Sequence, residues 1–241
     1  MSTARADADV PVIAVDGPAA SGKGTIAAGA ATALGFHLLD SGSLYRLVAL
    51  KALRAGIDVS AEAALVGAAQ RLDATFSGGT IRLEGQDVGE AIRDERVSVA
   101  ASQVAVHPAV RAALLTRQRA FRRRPGLVAD GRDMATVVFP DARLKVFVTA
   151  STEERARRRY KQLIEKGISS TIEGLLLDIR ERDARDTSRA VAPLVPAVDA
   201  VILDTTAMSI EDAVDFVVRR YRALESGGNA GAGSGASKGA R

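Results

Sequence analysis

The sequence has no cysteine. That excludes disulfide staples and thiolate metal sites, and makes a reducing, cytoplasmic setting the expectation. Tryptophan is also missing and aromatics are only 4% of residues. A protein that stacks successive bases on aromatic platforms is not expected from such a chain. No apolar run is long enough to span a bilayer. The first ten residues, MSTARADADV, lack the apolar core of an export signal. Nor is there a large excess of charge: 33 basic and 29 acidic residues leave a net +4. Such a balance does not by itself argue for nucleic acid. Neither nucleic acid nor a membrane is an expected partner. The two histidines stand outside any catalytic pattern, His37 in an expected strand and His107 before Pro108 at a helix break.

What remains is an ordinary α/β composition, 47% hydrophobic and 26% charged over 241 residues. It suits one sizeable core with a small insert, or two small domains. The chain is organised around one stretch. An apolar run at 10–15 leads into Gly17-Pro18-Ala19-Ala20-Ser21-Gly22-Lys23-Gly24-Thr25, and an Ala-rich helix follows. Strand, glycine-rich turn and helix form the context of a phosphate-binding loop. Consecutive N–H groups can cradle phosphate oxygens, and the new helix presents its unpaired N–H groups to the same anion. Lys23 adds a point charge that can follow a moving phosphoryl group. Ser or Thr normally follows that lysine to meet Mg²⁺. Here Gly24 intervenes before Thr25, a variant seen in nucleoside monophosphate kinases.

Along the chain, 1–9 reads as a disordered lead-in. The loop helix should stop near Gly35. A second strand at 36–39 leads to Asp40, Ser41 and Arg46, with Ser43 a fair N-cap for a helix to about Ala55. These polar residues fit a ligand edge and a capped, solvated loop equally well. Residues 58–106 form an insert: a helix near 61–71, then alternating sequence around Gly78-Gly79, a hairpin signal, then a helix at 94–106. Another helix is expected at 108–123, with Pro108 in its first turn. Apolar runs at 127–130 and within 143–149 suit parallel strands buried on both faces, and a fifth strand is expected at 201–204. Ser151 and Glu154 form a capping box for a helix to about Lys166. A further helix covers about 171–186 or a little beyond. Ser209 caps a last one to about Leu224, and the Gly/Ala/Ser tail at 225–241 is expected to be disordered.

Arginine comes in clusters. Arg155, Arg158 and Arg159 share one helical stripe, as do Arg182, Arg185 and Arg189. Asp186, four residues after Arg182, can orient it. Solvated ion-paired faces and planar anion recognition explain these clusters equally well. Asp130, at a strand end, can hold Mg²⁺ through water.

Four segments taken together resemble the bacterial cytidylate kinase family of CMP/dCMP kinases. They are GPAASGKGT at 17–25, LLDSGSLYR at 38–46, ADGRDM at 129–134 and RDTSRAVAPL at 185–194. The resemblance covers about 10–224. It implies a P-loop NTPase-type three-layer fold with a five-stranded parallel sheet in order 2-3-1-4-5. The core would be 10–57 and 107–224, with a monophosphate-binding insert at 58–106 and a short lid within about 151–170. It implies transfer of the ATP γ-phosphoryl group to CMP or dCMP, with Mg²⁺. Residues 17–25 would then hold ATP, with Lys23 on the β and γ phosphates. Arg46 and Arg132 would hold the CMP phosphate, with Ser41 beside them. Asp133, Arg111 and Ser102 would read the cytosine edge. Arg182 and Asp186 would lie at the acceptor sugar, and Arg158 and Arg189 would stabilise charge during transfer. With no obvious association surface, a monomer is expected.

Overall fold

A computed structural model describes residues 9–77, 79–165 and 167–229. Residues 1–8 and 230–241, where much of the expected lead-in and tail falls, lie outside the described residues, as do Gly78 and Lys166.

The architecture grows from β1 (Val12–Asp16), every residue of which is buried. Its alternate side chains feed two separate cores, as the period of two requires. Val12 and Ala14 join a large cluster with Leu39, Leu44, Leu47 and Leu127. Ile13 and Val15 join another with Ile26, Val128, Val146, Leu203 and Tyr221. The strand is therefore sandwiched. The sheet also contains β2 (His37–Asp40), β6 (Leu127–Gly131), β7 (Leu144–Thr149) and β8 (Val201–Asp204), in spatial order β2-β6-β1-β7-β8. All its pairings are parallel. Counting only these five strands along the chain, the order is 2-3-1-4-5, as expected. The reversal of direction about β1 places the following loop at a topological switch point, where open α/β sheets bind ligands.

Helices α1 (Lys23–Leu34) and α8 (Ile210–Asn229) cover one face. Helix α2 (Ser41–Arg54) lies on the other. With it pack α3 (Glu62–Gln70), α4 (Glu95–Val104) and α5 (Pro108–Arg119). Between α3 and α4 a small antiparallel sheet holds β3 (Ala74–Ser77), β4 (Thr80–Leu83) and β5 (Gln86–Asp87). Helices α6 (Thr152–Glu165) and α7 (Ile172–Thr187) pair around a third cluster of Ala156, Leu163, Leu175 and Ile179.

Several local expectations change. The cap of α2 is Asp40, not Ser43: its carboxylate accepts from the Ser43 N–H at 3.2 Å and from the Ser43 hydroxyl at 2.6 Å. A carboxylate at the helix start also suits the dipole. The expected hairpin gains a third strand, because Gly85 turns the chain with φ +79° and β5 pairs back on β4. The capping box is half made. The Ser151 hydroxyl accepts from Glu154 N–H at 3.2 Å, but Ser151 N–H donates to Thr206 Oγ1. The Glu154 carboxylate goes to Arg157 and Arg158 instead. Helix α8 continues past Leu224 to Asn229, so the start of the expected tail is helical. Among the described residues, no helix is long and apolar enough to cross a membrane.

Candidate active site

The loop at 17–25 leaves β1 at the carboxyl edge of the sheet. A Cβ on Gly17 would lie 2.1 Å from the carbonyl oxygen of Val148. The obstacle is backbone of the neighbouring strand, so it cannot swing aside. Gly17→Ala is expected to cost about 3 kcal/mol, the upper end for overpacking. Thermal unfolding should show a Tm lower by roughly 6–12 °C; an unchanged Tm would contradict this packing. Further on, Ala20 (φ +59°) and Gly22 (φ +87°) take left-handed conformations, and Gly22 is the N-cap of α1. No side chain caps that helix, so its first N–H groups stay available to an anion.

Lys23 reaches back over the loop. Its Nζ stands 3.5 Å from the Pro18 carbonyl oxygen and 3.8 Å from Asp130 Oδ1. Burial, with Arg132 nearby, pushes the Lys23 ammonium down to about 8. Burial also raises Asp130, against the pull of Lys23. A Cβ on residue 24 would stand 3.2 Å from Asp130 Oδ2. Gly24 thus leaves that carboxylate room at the loop. Asp130 Oδ1 is buried with no hydrogen-bond donor among the described residues. An oxygen ligand in that state suits a hydrated hard cation.

Across from the loop a cleft of about 770 Å³ opens between α2, α4 and α7. It collects Lys23, Gly24, Thr25, Ser41, Arg46, Ser102, Arg111, Asp130, Arg132, Asp133, Arg182, Asp186 and Arg189 from the sequence-derived set. At its inner end Asp133 and Arg111 form a buried pair at 2.5 Å, and Arg111 lies 5.5 Å over the Tyr45 ring. Ser102, on α4, accepts from Arg185 Nε at 3.5 Å. Asp186 is held by two arginines. Arg132 Nε donates to its Oδ2 at 2.8 Å, and Arg189 bonds its Oδ1. Burial works against ionisation of Asp186, but Arg132, Arg189 and Arg182 outweigh it and hold the carboxyl below its usual range. Burial, with Arg132 close by, lowers Arg182 to about 10, and its Nη1 reaches Ser98 at 3.4 Å. Arg46 and Ser41 line the cleft without a hydrogen-bond partner among the described residues. The site is thus rich in cations that are partly unsatisfied, which suits an anion with several oxygens.

Arg158 stands elsewhere. It sits on the outer side of the loop, bonded to Glu154 (3.1 Å), the Ser21 carbonyl (3.3 Å) and Thr205 (2.5 Å and 3.0 Å). Its neighbour Arg159 lines the cleft instead and pairs with Glu95 of α4. His37 and His107 bond the backbone carbonyls of Arg124 and Val59, as structural histidines do.

Three residues stand out that sequence reasoning gave no role. Asp16 accepts N–H bonds from Met134 and Ala135, both at 2.8 Å, and so fixes the turn that follows Arg132 and Asp133. Burial pushes its carboxyl up to about 7, against those two donors. Its place beside Gly17 was the available signal. Tyr45 supplies the face under Arg111. Thr205 bonds the Ser21 carbonyl at 3.0 Å; its place at the carboxyl end of β8 was the only hint.

Comparison with known proteins agrees with this geometry. The family model described as cytidylate kinase matches residues 13–223. A cytidylate kinase of Burkholderia vietnamiensis is 60% identical over 224 residues, 93% of this chain and 98% of the relative. One of Burkholderia cenocepacia is 59% identical over the same shares. One of Bordetella bronchiseptica is 60% identical over 213 residues, 88% of this chain and 96% of the relative. With a match across nearly the whole described chain and relatives at this identity, the chain belongs to the cytidylate kinase family.

Proposed function

We propose that the protein transfers the γ-phosphoryl group of ATP to CMP or dCMP, giving ADP and CDP or dCDP. The observation that carries the reading is the pairing of two unlike ends in one cleft. One end has the phosphate loop with Lys23. The other has the buried Arg111–Asp133 pair, which offers a donor and an acceptor together. The edge of cytosine asks for both.

The roles follow from the chemistry available at each place. The N–H groups of the loop and Lys23 hold the donor phosphates. Arg46 and Arg132 hold the acceptor phosphate, with Ser41 beside them. Asp133 and Arg111, with Ser102, read the base. Asp186, kept ionised by its arginines, accepts from a ribose hydroxyl next to Arg182. An acceptor phosphate oxygen is already ionised, so no general base is required. The work left is positioning and spreading of charge. Arg189, which lines the cleft and pairs with Asp186, suits that task. Arg158 would have to leave Thr205 to share it. Asp130 would hold Mg²⁺ through water, and that ion supplies neutralisation of the donor phosphates when bound. Residues 58–106 act as the acceptor-side insert, and the lid lies within about 151–170. The monomer is the working unit in this reading, since one chain supplies both ends of the cleft.

Coupled ADP release over a panel of nucleoside monophosphates tests the proposal. Fast release with CMP and dCMP is expected. Preference for AMP, GMP or UMP would replace the acceptor, and no acceptor-dependent release would point to a non-catalytic regulator.

The lysine also sets a pH dependence. The charged ammonium holds phosphate, and it is lost as pH rises through about 8. The kcat/KM for ATP, which reports the free enzyme, should therefore fall above that pH. Lys23→Arg should be slower but lack that alkaline fall, because a guanidinium stays charged. A wild-type pH profile that stays flat to about pH 9.5 would contradict this account of Lys23.

A further inference from the structure

The outer side of the phosphate loop carries a set of contacts that no step above uses. Arg155, on α6, is buried, with only 4% of its surface exposed. Its Nη1 donates to the Ala19 carbonyl at 3.3 Å. Thr205, after β8, is 1% exposed. Its hydroxyl bonds the Ser21 carbonyl at 3.0 Å, with the Thr149 carbonyl at 3.1 Å as the second acceptor in reach. Neither Arg155 nor Thr205 lines the cleft, whereas Ala19, Ala20 and Gly22 do.

The consequence follows from the peptide unit. In a trans peptide the C=O of one residue and the N–H of the next point in opposite directions. Holding the Ala19 carbonyl outward turns the Ala20 N–H away from Arg155. Holding the Ser21 carbonyl outward does the same for the Gly22 N–H. Ala20 is in a left-handed conformation that a residue with a Cβ does not keep without support, whereas Gly22 takes its own freely and needs only to be oriented.

We infer that Arg155 and Thr205 are positioning residues: they grip the carbonyls of Ala19 and Ser21 from behind, so that the N–H groups of Ala20 and Gly22 face the donor phosphates. This rests on the functional reading above. The grip also reaches the acceptor side. Arg155 is bidentate to Asp183 of α7, at 3.0 Å and 2.6 Å, one turn before Asp186. One guanidinium thus ties the donor loop to the helix that carries Arg182 and Asp186. Lysine cannot make that fork.

The test separates donor from acceptor. Binding of a non-hydrolysable ATP analogue with an imido bridge, and of CMP, is measured by calorimetry in the full chain. The proteins are wild type, Arg155→Lys, Thr205→Val and Thr205→Ser. Arg155→Lys and Thr205→Val should each weaken the analogue roughly tenfold, as loss of a charged or buried hydrogen bond does. CMP affinity should stay at the wild-type value in Thr205→Val and fall clearly less than analogue affinity in Arg155→Lys, which also loosens Asp183 of α7. Thr205→Ser keeps the hydroxyl and should restore the analogue affinity. A role in folding alone would lower Tm and leave the analogue-to-CMP ratio unchanged. That result, or equal weakening of both ligands, overturns the inference. If Thr205→Val does not fold, the Arg155→Lys and Thr205→Ser pair decides it by the same ratio. A wild type that fails to bind the analogue would instead remove the functional reading, and this inference with it.

Discussion

Lys23→Met is expected to lower kcat by about 10²–10³-fold, the usual loss when a fixed charge aimed at the reacting group is removed. The setting of the side chain fits that proposed task. It is nearly enclosed, lies 3.8 Å from Asp130, and shares its space with Arg132 and Arg182. Methionine keeps the length and loses the charge. The variant should fold, because the ammonium is already disfavoured by burial and by its cationic neighbours. Its removal relieves that repulsion while depriving Asp130 of a partner, and burial already favours a protonated Asp130. Tm should therefore move little, and CMP affinity should hold because the base-reading end is untouched. Rapid-quench measurement of the chemical step, with CMP calorimetry and a thermal melt, checks all three. A variant with near wild-type kcat would contradict the placement of Lys23 on the transferred group.

Asp133→Ala acts at the other end. It leaves Arg111 buried, 8% exposed, with the Ala105 carbonyl and the Tyr45 face as its remaining company. Breaking a buried ion pair by removing one member costs about 3–5 kcal/mol; the Tyr45 face already contacts Arg111 in the wild type and does not offset that loss. A site built to hydrogen-bond a base loses its discrimination when the partner group goes, so kcat/KM for CMP should fall by about 10³-fold. Affinity for the ATP analogue should stay within about twofold, because changes at separate sites are independent. Asp133→Asn keeps the shape and separates packing from charge. Equal loss of acceptor and donor binding would count against the base-reading role.

Much of this arrangement was legible because its signals are local. The loop at 17–25 announces itself by residue type and spacing, and Gly35 ends α1 with φ +65° as a glycine stop does. Continuous apolar runs implied strands buried on both faces; that holds for β1 and β6, whereas alternate residues of β7 are only partly buried. Where two residues competed for one job, spacing did not decide. Asp40 caps α2 because its charge outdoes the Ser43 hydroxyl at a helix start. Ser151 N–H goes to Thr206 because α6 begins beside the β8 exit, a tertiary neighbour that no local pattern contains.

The arginines teach the same lesson. Arg155, Arg158 and Arg159 do share a stripe, but long side chains from one stripe reach different partners. Arg155 and Arg158 turn to the loop, and Arg159 turns to Glu95. Asp186 was legible as a partner for Arg182 at four residues' distance. In the structure its carboxylate bonds Arg132, 54 residues away, and Arg189. Both strands of that argument, stripe and spacing, describe a helix alone, whereas the cleft is made by α7 meeting the end of β6.

The most direct measurement follows the phosphorus. ATP labelled at its γ-phosphorus is incubated with CMP, Mg²⁺ and the protein, and the nucleotides are separated. The account predicts that label appears in the β position of CDP, in step with loss of ATP and dependent on CMP. Label released only as inorganic phosphate, or label that stays in ATP when CMP is added, would contradict it.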